Sequence, residues 1–146
     1  MSSAEPMPAM TAAEFLQAIS TLQEAEGFDL TVEELRWGDI RLRLGFSERF
    51  LRPGGTISGP VMFTLCDAAL WGAVWSATGS ALMSVTTDMT LHFLRRPKPK
   101  PMIAHSRMLR VGRTLCYGEV TLWSEGDPEP VCHATGSYAR AQPTGS

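Results

Sequence analysis

Asp67 stands alone in the most apolar stretch of the chain. The run GGTISGPVMFTLCDAALWGAVW, residues 54–75, holds no other charged side chain. If the run is helical, the side chains three and four positions away are Phe63, Thr64, Leu70 and Trp71, none of them cationic. An ionised carboxylate in such surroundings costs several kcal/mol unless a partner offsets it. Desolvation favours the protonated form, which is how a carboxylate becomes a base able to work near neutral pH. Carboxylates so placed are enriched at active sites, but a structural ion pair or loop cap uses them too.

A second feature lies nine residues upstream of Asp67. In TISGP, residues 56–60, Ser58 can cap a helix and Pro60 suits its first turn, where a missing N–H does no harm. Free N–H groups and the positive end of the helix dipole point outward there and can hold an oxyanion. Pro60 cannot donate, so the Gly59 N–H is the leading donor; a plain helix cap is the simpler reading of the same residues.

Other chemistry is thinner. His92, His105 and His133 fall on three separate strand-like runs, without the tight ligand spacing of a zinc site, and no metal is expected. No nucleophile elbow, P-loop or dinucleotide fingerprint occurs. Cys66 beside Asp67 reads as a buried, inert thiol. Arg95, Arg96, Lys98 and Lys100 cluster between prolines, either as a phosphate contact or as a solvated loop.

The chain must then supply elements that position these groups. Its 146 residues suit one domain. A 44% hydrophobic content excludes disorder, and a net charge of -2 argues against nucleic-acid binding. Three widely spaced cysteines point to reduced thiols in a cytoplasmic protein. Residues 1–10 and 141–146 read as a loose arm and tail around a single domain, residues 11–140, and no secretory signal opens the chain. Residues 57–77 have nearly the length of a membrane span, but Asp67 would sit at its centre, and no span is expected.

Thr11 to Glu26 reads as an amphipathic helix, with Thr11 and Glu14 as a capping box. Leu35 to Phe46 alternates as one half-buried strand. Val61 to Ala77 is apolar on all sides and reads as a buried central helix ended by Gly79. Four strand-like runs follow, Met83 to Leu94, Met102 to Val111, Leu115 to Ser124 and Val131 to Arg140. Alternation puts Val85, Thr87, Met89, Leu91 and Phe93 on one face of the first. Short connections make the strands antiparallel, and a helix apolar all round needs a sheet about it. The expected class is α+β, with an antiparallel sheet of about five to six strands wrapped around one long helix. Its open edges and apolar content predict self-association.

The order of elements, with GGTISGPVMFTLCDAAL and SVTTDMTLHFLRRP, resembles the hotdog-fold acyl-CoA thioesterases of the phenylacetate-pathway type, over roughly residues 35–138. That family pattern is a His-Gly-Gly turn, an Asp nine positions after the His, a Ser/Thr-x-Asp-hydrophobic strand and a FLRP-like end. Here Ser58-Gly59-Pro60 occupies the turn, Asp67 falls at the right distance, Thr86-Thr87-Asp88-Met89 occupies the strand, and Phe93 to Pro97 ends it. Ser58 stands where the family has His, and Arg52 where it often has Asn. The resemblance implies hydrolysis of a thioester to free acid and CoA, with Asp67 as general base or nucleophile. It implies an oxyanion contact from the Gly59 N–H, and an orienting hydroxyl from Thr86 of a partner subunit. It further implies acyl contacts near Phe63, Leu70 and Trp71, and coenzyme A phosphates on Arg95, Arg96 and Lys98. Arg52 would either pair with Asp67 or touch substrate. No cofactor is implied beyond the coenzyme A thioester as substrate, and the assembly would be a homodimer or homotetramer. The alternative is a non-catalytic hotdog module that binds acyl-CoA or another lipid-like ligand. A hydratase on the same fold would need a His close to Asp67 in sequence, and none is there.

Overall fold

The computed structural model describes residues 6–79 and 83–140. The outer part of the expected arm and the whole of the expected tail fall outside the described residues. The inner part of the arm touches the core. Met10 is buried in the core, and the Ala9 N–H donates to the Ser76 carbonyl at 2.8 Å.

Helix α1 spans Ala12–Ile19 and buries Phe15 and Ile19. Its capping box is formed as expected: the Glu14 N–H donates to Thr11 Oγ1 at 3.1 Å, and the Thr11 N–H to Glu14 Oε1 at 3.0 Å. The helix is shorter than its apolar spacing predicts. Ser20 and Thr21 donate their hydroxyls back to the carbonyls of Gln17 and Ala18, at 2.6 and 2.7 Å. Such bonds offer the backbone an alternative to the helical ladder, and the chain tightens into a 3-10 turn at Gln23–Ala25.

Strands β1 (Leu30–Arg36) and β2 (Asp39–Leu44) form a hairpin. The single strand expected from Leu35 to Phe46 is therefore the end of one strand and the whole of the next. Gly38, at φ 69°, supplies the left-handed turn between them. A two-stranded ribbon, β3 (Leu51–Arg52) and β4 (Thr56–Ile57), folds the RPGG loop back onto the start of the central helix.

Helix α2 spans Gly59–Thr78. Ser58 caps it, accepting from the Val61 N–H at 3.4 Å, and Gly79 ends it at φ 76°. By length and composition α2 could cross a membrane, but most of it is buried inside the fold. It is the core helix, which is why its apolar residues are spread round the whole circumference. The remaining strands are β5 (Val85–Phe93), β6 (Met102–Val111), β7 (Leu115–Ser124) and β8 (Pro130–Ala139). The main sheet is six-stranded, in the order β1-β2-β6-β7-β8-β5, with every pair antiparallel. One sheet wrapped around one long helix is the hotdog arrangement.

Two glycines let α2 sit close to the sheet. Gly118 of β7 and Gly136 of β8 are cross-strand partners. A Cβ at either would come within 2.8 or 2.9 Å of a Leu70 side-chain carbon, so Leu70 packs directly on the bare backbone. This seat sets the height of the next turn of the helix, where Asp67 lies.

Candidate active site

Asp67 leaves α2 toward the edge of the sheet and is only partly buried. Its Oδ1 accepts from Thr86 Oγ1 at 3.0 Å and from Tyr138 Oη at 2.5 Å. Tyr138 Oη also lies 3.2 Å from the backbone carbonyl of Asp67. Among the described residues, nothing bonds Oδ2, and no cation pairs with the carboxylate. Burial first, and then the Asp67 carboxylate, push the Tyr138 phenol far above its ordinary range. Tyr138 is therefore a permanent donor at neutral pH and holds one carboxylate oxygen still.

A bulge brings Thr86 to this point. Strand β5 pairs Thr86 with Tyr138 and Asp88 with Ser137, so Thr87 is the extra residue. Thr87 instead donates its hydroxyl to the Ser137 carbonyl at 3.1 Å. Unbroken alternation would leave Thr86 on the face opposite Met89 and Leu91. The bulge switches the face, so that Thr86, Met89 and Leu91 lie over the inward side of β8. The expected common face of Val85, Thr87 and Met89 is thereby corrected, and Thr86 of the same chain reaches Asp67 without a partner subunit.

Asp67 and Thr86 line a cavity of about 310 Å³. Its apolar walls come from Ala68 and Trp71 of α2 and from Ile19, Leu22 and Ala25 of the N-terminal segment. Of the expected acyl contacts, Trp71 is on this wall. Leu70 faces the sheet, and Phe63 is exposed outside the cavity lining. Tyr138 escaped the sequence reading because it is 71 residues from Asp67 and only the β5–β8 register joins them. The N-terminal wall escaped for a similar reason.

A second groove, about 550 Å³, opens at the start of α2. Arg52, Arg95 and Arg96 line it together with Gly59 and Phe93. Thus Arg52 joins the expected phosphate contacts and does not pair with Asp67. Lys98 is drawn away: its Nζ lies 3.0 Å from Asp127 Oδ2. The Glu129 N–H, and then Lys98, hold the Asp127 carboxyl below its usual range. Arg95 also reaches Glu129, at 3.9 Å. Ser58 is spent on its cap. Gly59 and Asp67 stand eight positions apart on α2, a rise of about 12 Å, so one chain does not bring them together.

Glu24 also lines the cavity, whereas the histidines and cysteines lie elsewhere. His105 bonds Asp39 at 2.8 Å, and His133 bonds Glu119 at 3.1 Å. Among the described residues, no group of three His, Cys, Asp or Glu side chains could hold a metal ion. Cys66, Cys116 and Cys132 are free and buried. A hydrogen bond with Cys132, together with burial, holds the Cys66 thiol far above the thiol range, which leaves it unreactive.

Comparison with known proteins places these features. The model of the thioesterase superfamily matches residues 54–131, just over half of the chain. A solved structure from Silicibacter sp. TM1040, assigned as a thioesterase, is 33% identical with a TM-score of 0.81, over 92% of this chain and 94% of that one. A thioesterase-type protein of Streptococcus pneumoniae, solved with coenzyme A, shares the fold at 22% identity and a TM-score of 0.75, over 90% of this chain and 97% of that one. A protein of Thermoplasma acidophilum assigned as an esterase is 24% identical over 110 residues, 75% of this chain and 82% of its own length.

Proposed function

Because the chain belongs to the thioesterase superfamily, we propose that it hydrolyses acyl-CoA thioesters to the free acid and CoA, with Asp67 as the base. The observation that carries this reading is the asymmetry of one carboxylate. Oδ1 is fixed by two hydroxyls, while Oδ2 has no partner among the described residues, at the wall of an acyl-sized apolar cavity. A carboxylate held by one oxygen keeps its other oxygen free to take a proton in a fixed direction.

The reaction follows from that placement. A water gives its proton to Asp67 Oδ2 as its oxygen attacks the thioester carbonyl carbon. The carbonyl oxygen gains the negative charge and takes a hydrogen bond from a helix-terminal N–H. When the tetrahedral intermediate collapses, the C–S bond breaks and the thiolate leaves, recovering a proton through Asp67. Attack by Oδ2 itself would pass through an anhydride that water then opens. Tyr138 stays protonated throughout and serves only to hold Oδ1.

The oxyanion donor comes from a second copy of the chain. A donor must lie about 3 Å from the oxyanion, and the Gly59 and Asp67 of one chain are too far apart to share a carbonyl. The free edge of β5 offers the docking surface, with Val85, Phe93 and the adjoining Leu94 each more than half exposed. A homodimer is then the working unit, and a homotetramer is compatible with it. The arginine groove beside Gly59 suits the phosphates of coenzyme A, and the coenzyme A held by a neighbour of the same fold supports that reading. A cytoplasmic setting, where acyl-CoA esters and reduced thiols occur together, fits this chemistry.

The test is thiol release from a panel of short, medium and aryl acyl-CoAs, with wild type beside Asp67→Asn. The expected loss is about 10²-fold or more, with circular dichroism unchanged. Turnover that survives the substitution would remove Asp67 from the mechanism. Binding of CoA esters without turnover by either protein would make the chain a binding module.

A further inference from the structure

Two cavities meet at one pair of side chains. Leu22 and Trp71 line the cavity of about 310 Å³ that holds Asp67. The same two residues line a groove of about 550 Å³ that runs between α1 and α2, with Ala18 and Gln17 on one side and Trp75 on the other. Asp67, Trp71 and Trp75 are spaced four apart on α2, so they form one stripe along the helix and rise about 6 Å at each step. The cavity covers the first step and the groove the second. An apolar chain that starts at Asp67 and follows this stripe meets Leu22 and Trp71 before it reaches the groove.

The two side chains are held differently. The Trp71 ring packs against Phe15, which is fully buried, at 6.0 Å between centroids, and against Trp75 at 5.5 Å. Leu22 stands between the end of α1 and the 3-10 turn, on extended backbone, and is only partly buried against the core. Trp71 is thus the fixed member of the pair, and Leu22 is the member whose size can change without unseating the aromatic cluster. On the Asp67 side the cavity is at the low end for ligand pockets. Its apolar walls favour each added methylene by up to about fourfold, until the chain reaches the pair.

We propose that Leu22 is a specificity-determining residue: together with Trp71 it closes the acyl cavity against the groove and sets the longest acyl chain that the protein accepts. This rests on the thioesterase reading above. Leu22 lies outside residues 54–131, which match the superfamily, so the limit belongs to the N-terminal segment of this chain rather than to the matched core.

The full chain is assayed with straight-chain esters from butanoyl-CoA to hexadecanoyl-CoA, each below its micellar concentration, with thermal unfolding run beside. In wild type, kcat/KM should climb with chain length and then fall by about tenfold or more past one length. Leu22→Ala should move that break to longer esters and raise the ratio of the first rejected ester to the longest accepted one by about tenfold. Leu22→Phe should move the break to shorter esters, which keeps the test decisive if the alanine variant does not fold. Gln17→Phe, which narrows the groove from α1, should leave the wild-type break in place and cancel the gain of Leu22→Ala. A wild-type profile without a break, a break that neither Leu22 variant moves, or a gain that Gln17→Phe leaves intact overturns the proposal. So does an equal loss at every length, which would make Leu22 mere packing. If no ester is hydrolysed, the activity reading has failed, and the length dependence is then read by calorimetry with the free fatty acids. Affinity that stops rising at one length in wild type and rises further in Leu22→Ala supports the limit, and the same dependence in both overturns it.

Discussion

Replacing Tyr138 by Phe removes one atom from the site and leaves the ring. Tyr138 is buried, and its hydroxyl donates to Asp67 Oδ1 at 2.5 Å, within the short range of charge-assisted bonds. Bonds of that kind are worth about 1.5–3 kcal/mol. Asp67 is only partly buried, so water replaces part of the lost donor. The lower half of the range, about 1.5–2 kcal/mol, corresponds to a fall of about 10- to 30-fold in kcat/KM. The fold should lose less, about 0.5–1.5 kcal/mol, because the ring still fills its place. Thr86→Val removes a longer and more exposed bond to the same oxygen and should cost less than Tyr138→Phe. The double variant should be non-additive, since both hydroxyls restrain one oxygen. The assay is thiol release from the best ester of the panel, with thermal unfolding run beside it. A Tyr138→Phe variant within about twofold of wild type, with its fold intact, would refute the claim that a fixed Oδ1 is what makes Oδ2 a directed base.

Two further outcomes follow from the packing and from the phenol. Gly136→Ala would put a Cβ 2.8 Å from the Asp88 carbonyl oxygen and 2.9 Å from Leu70 Cδ2; overpacking of this kind costs about 1–3 kcal/mol, to be read as a lowered thermal midpoint together with reduced turnover as α2 lifts from its seat. An unchanged midpoint would show that the seat is slack. Tyr138 has a folded-state pKa above its unfolded value of about 10, so its neutral form is favoured in the fold. That contribution is fully present below about pH 10 and is lost as pH rises further, because the unfolded phenol then ionises first. Alkaline titration should show unfolding and phenolate absorbance rising together, and Tyr138→Phe should flatten the alkaline decline in stability; a Tyr138 phenolate formed within the intact fold would contradict the placement.

Several features were legible because their causes are local. Ser58, Pro60 and Gly79 bracket α2 by what their backbones can and cannot donate. The all-round apolar circumference of that helix demanded a sheet about it, and short turns made the sheet antiparallel. Asp67 stood out because a charge in an apolar helix needs a reason. The same local logic failed where a competing local bond or a turn intervened. Ser20 and Thr21 ended α1 about two turns before the expected end at Glu26, and Gly38 divided what alternation joined into one strand.

The chemistry of the site was only half legible. Sequence alone named Asp67, Thr86, Gly59 and the arginines, and it determined that a carboxylate sits on the core helix two turns from a helix N-terminus. Which groups touch was a tertiary decision. Register across the β5–β8 pair set Tyr138 opposite Thr86, and one extra residue in β5 turned Thr86 inward. The N-terminal segment closed the cavity with Ile19 and Leu22. Lys98 found Asp127 instead of joining the groove. Spacing along a helix is fixed by its pitch and can be read from one segment, but register and the face of a bulged strand depend on how two distant segments pair, and no single segment carries that information.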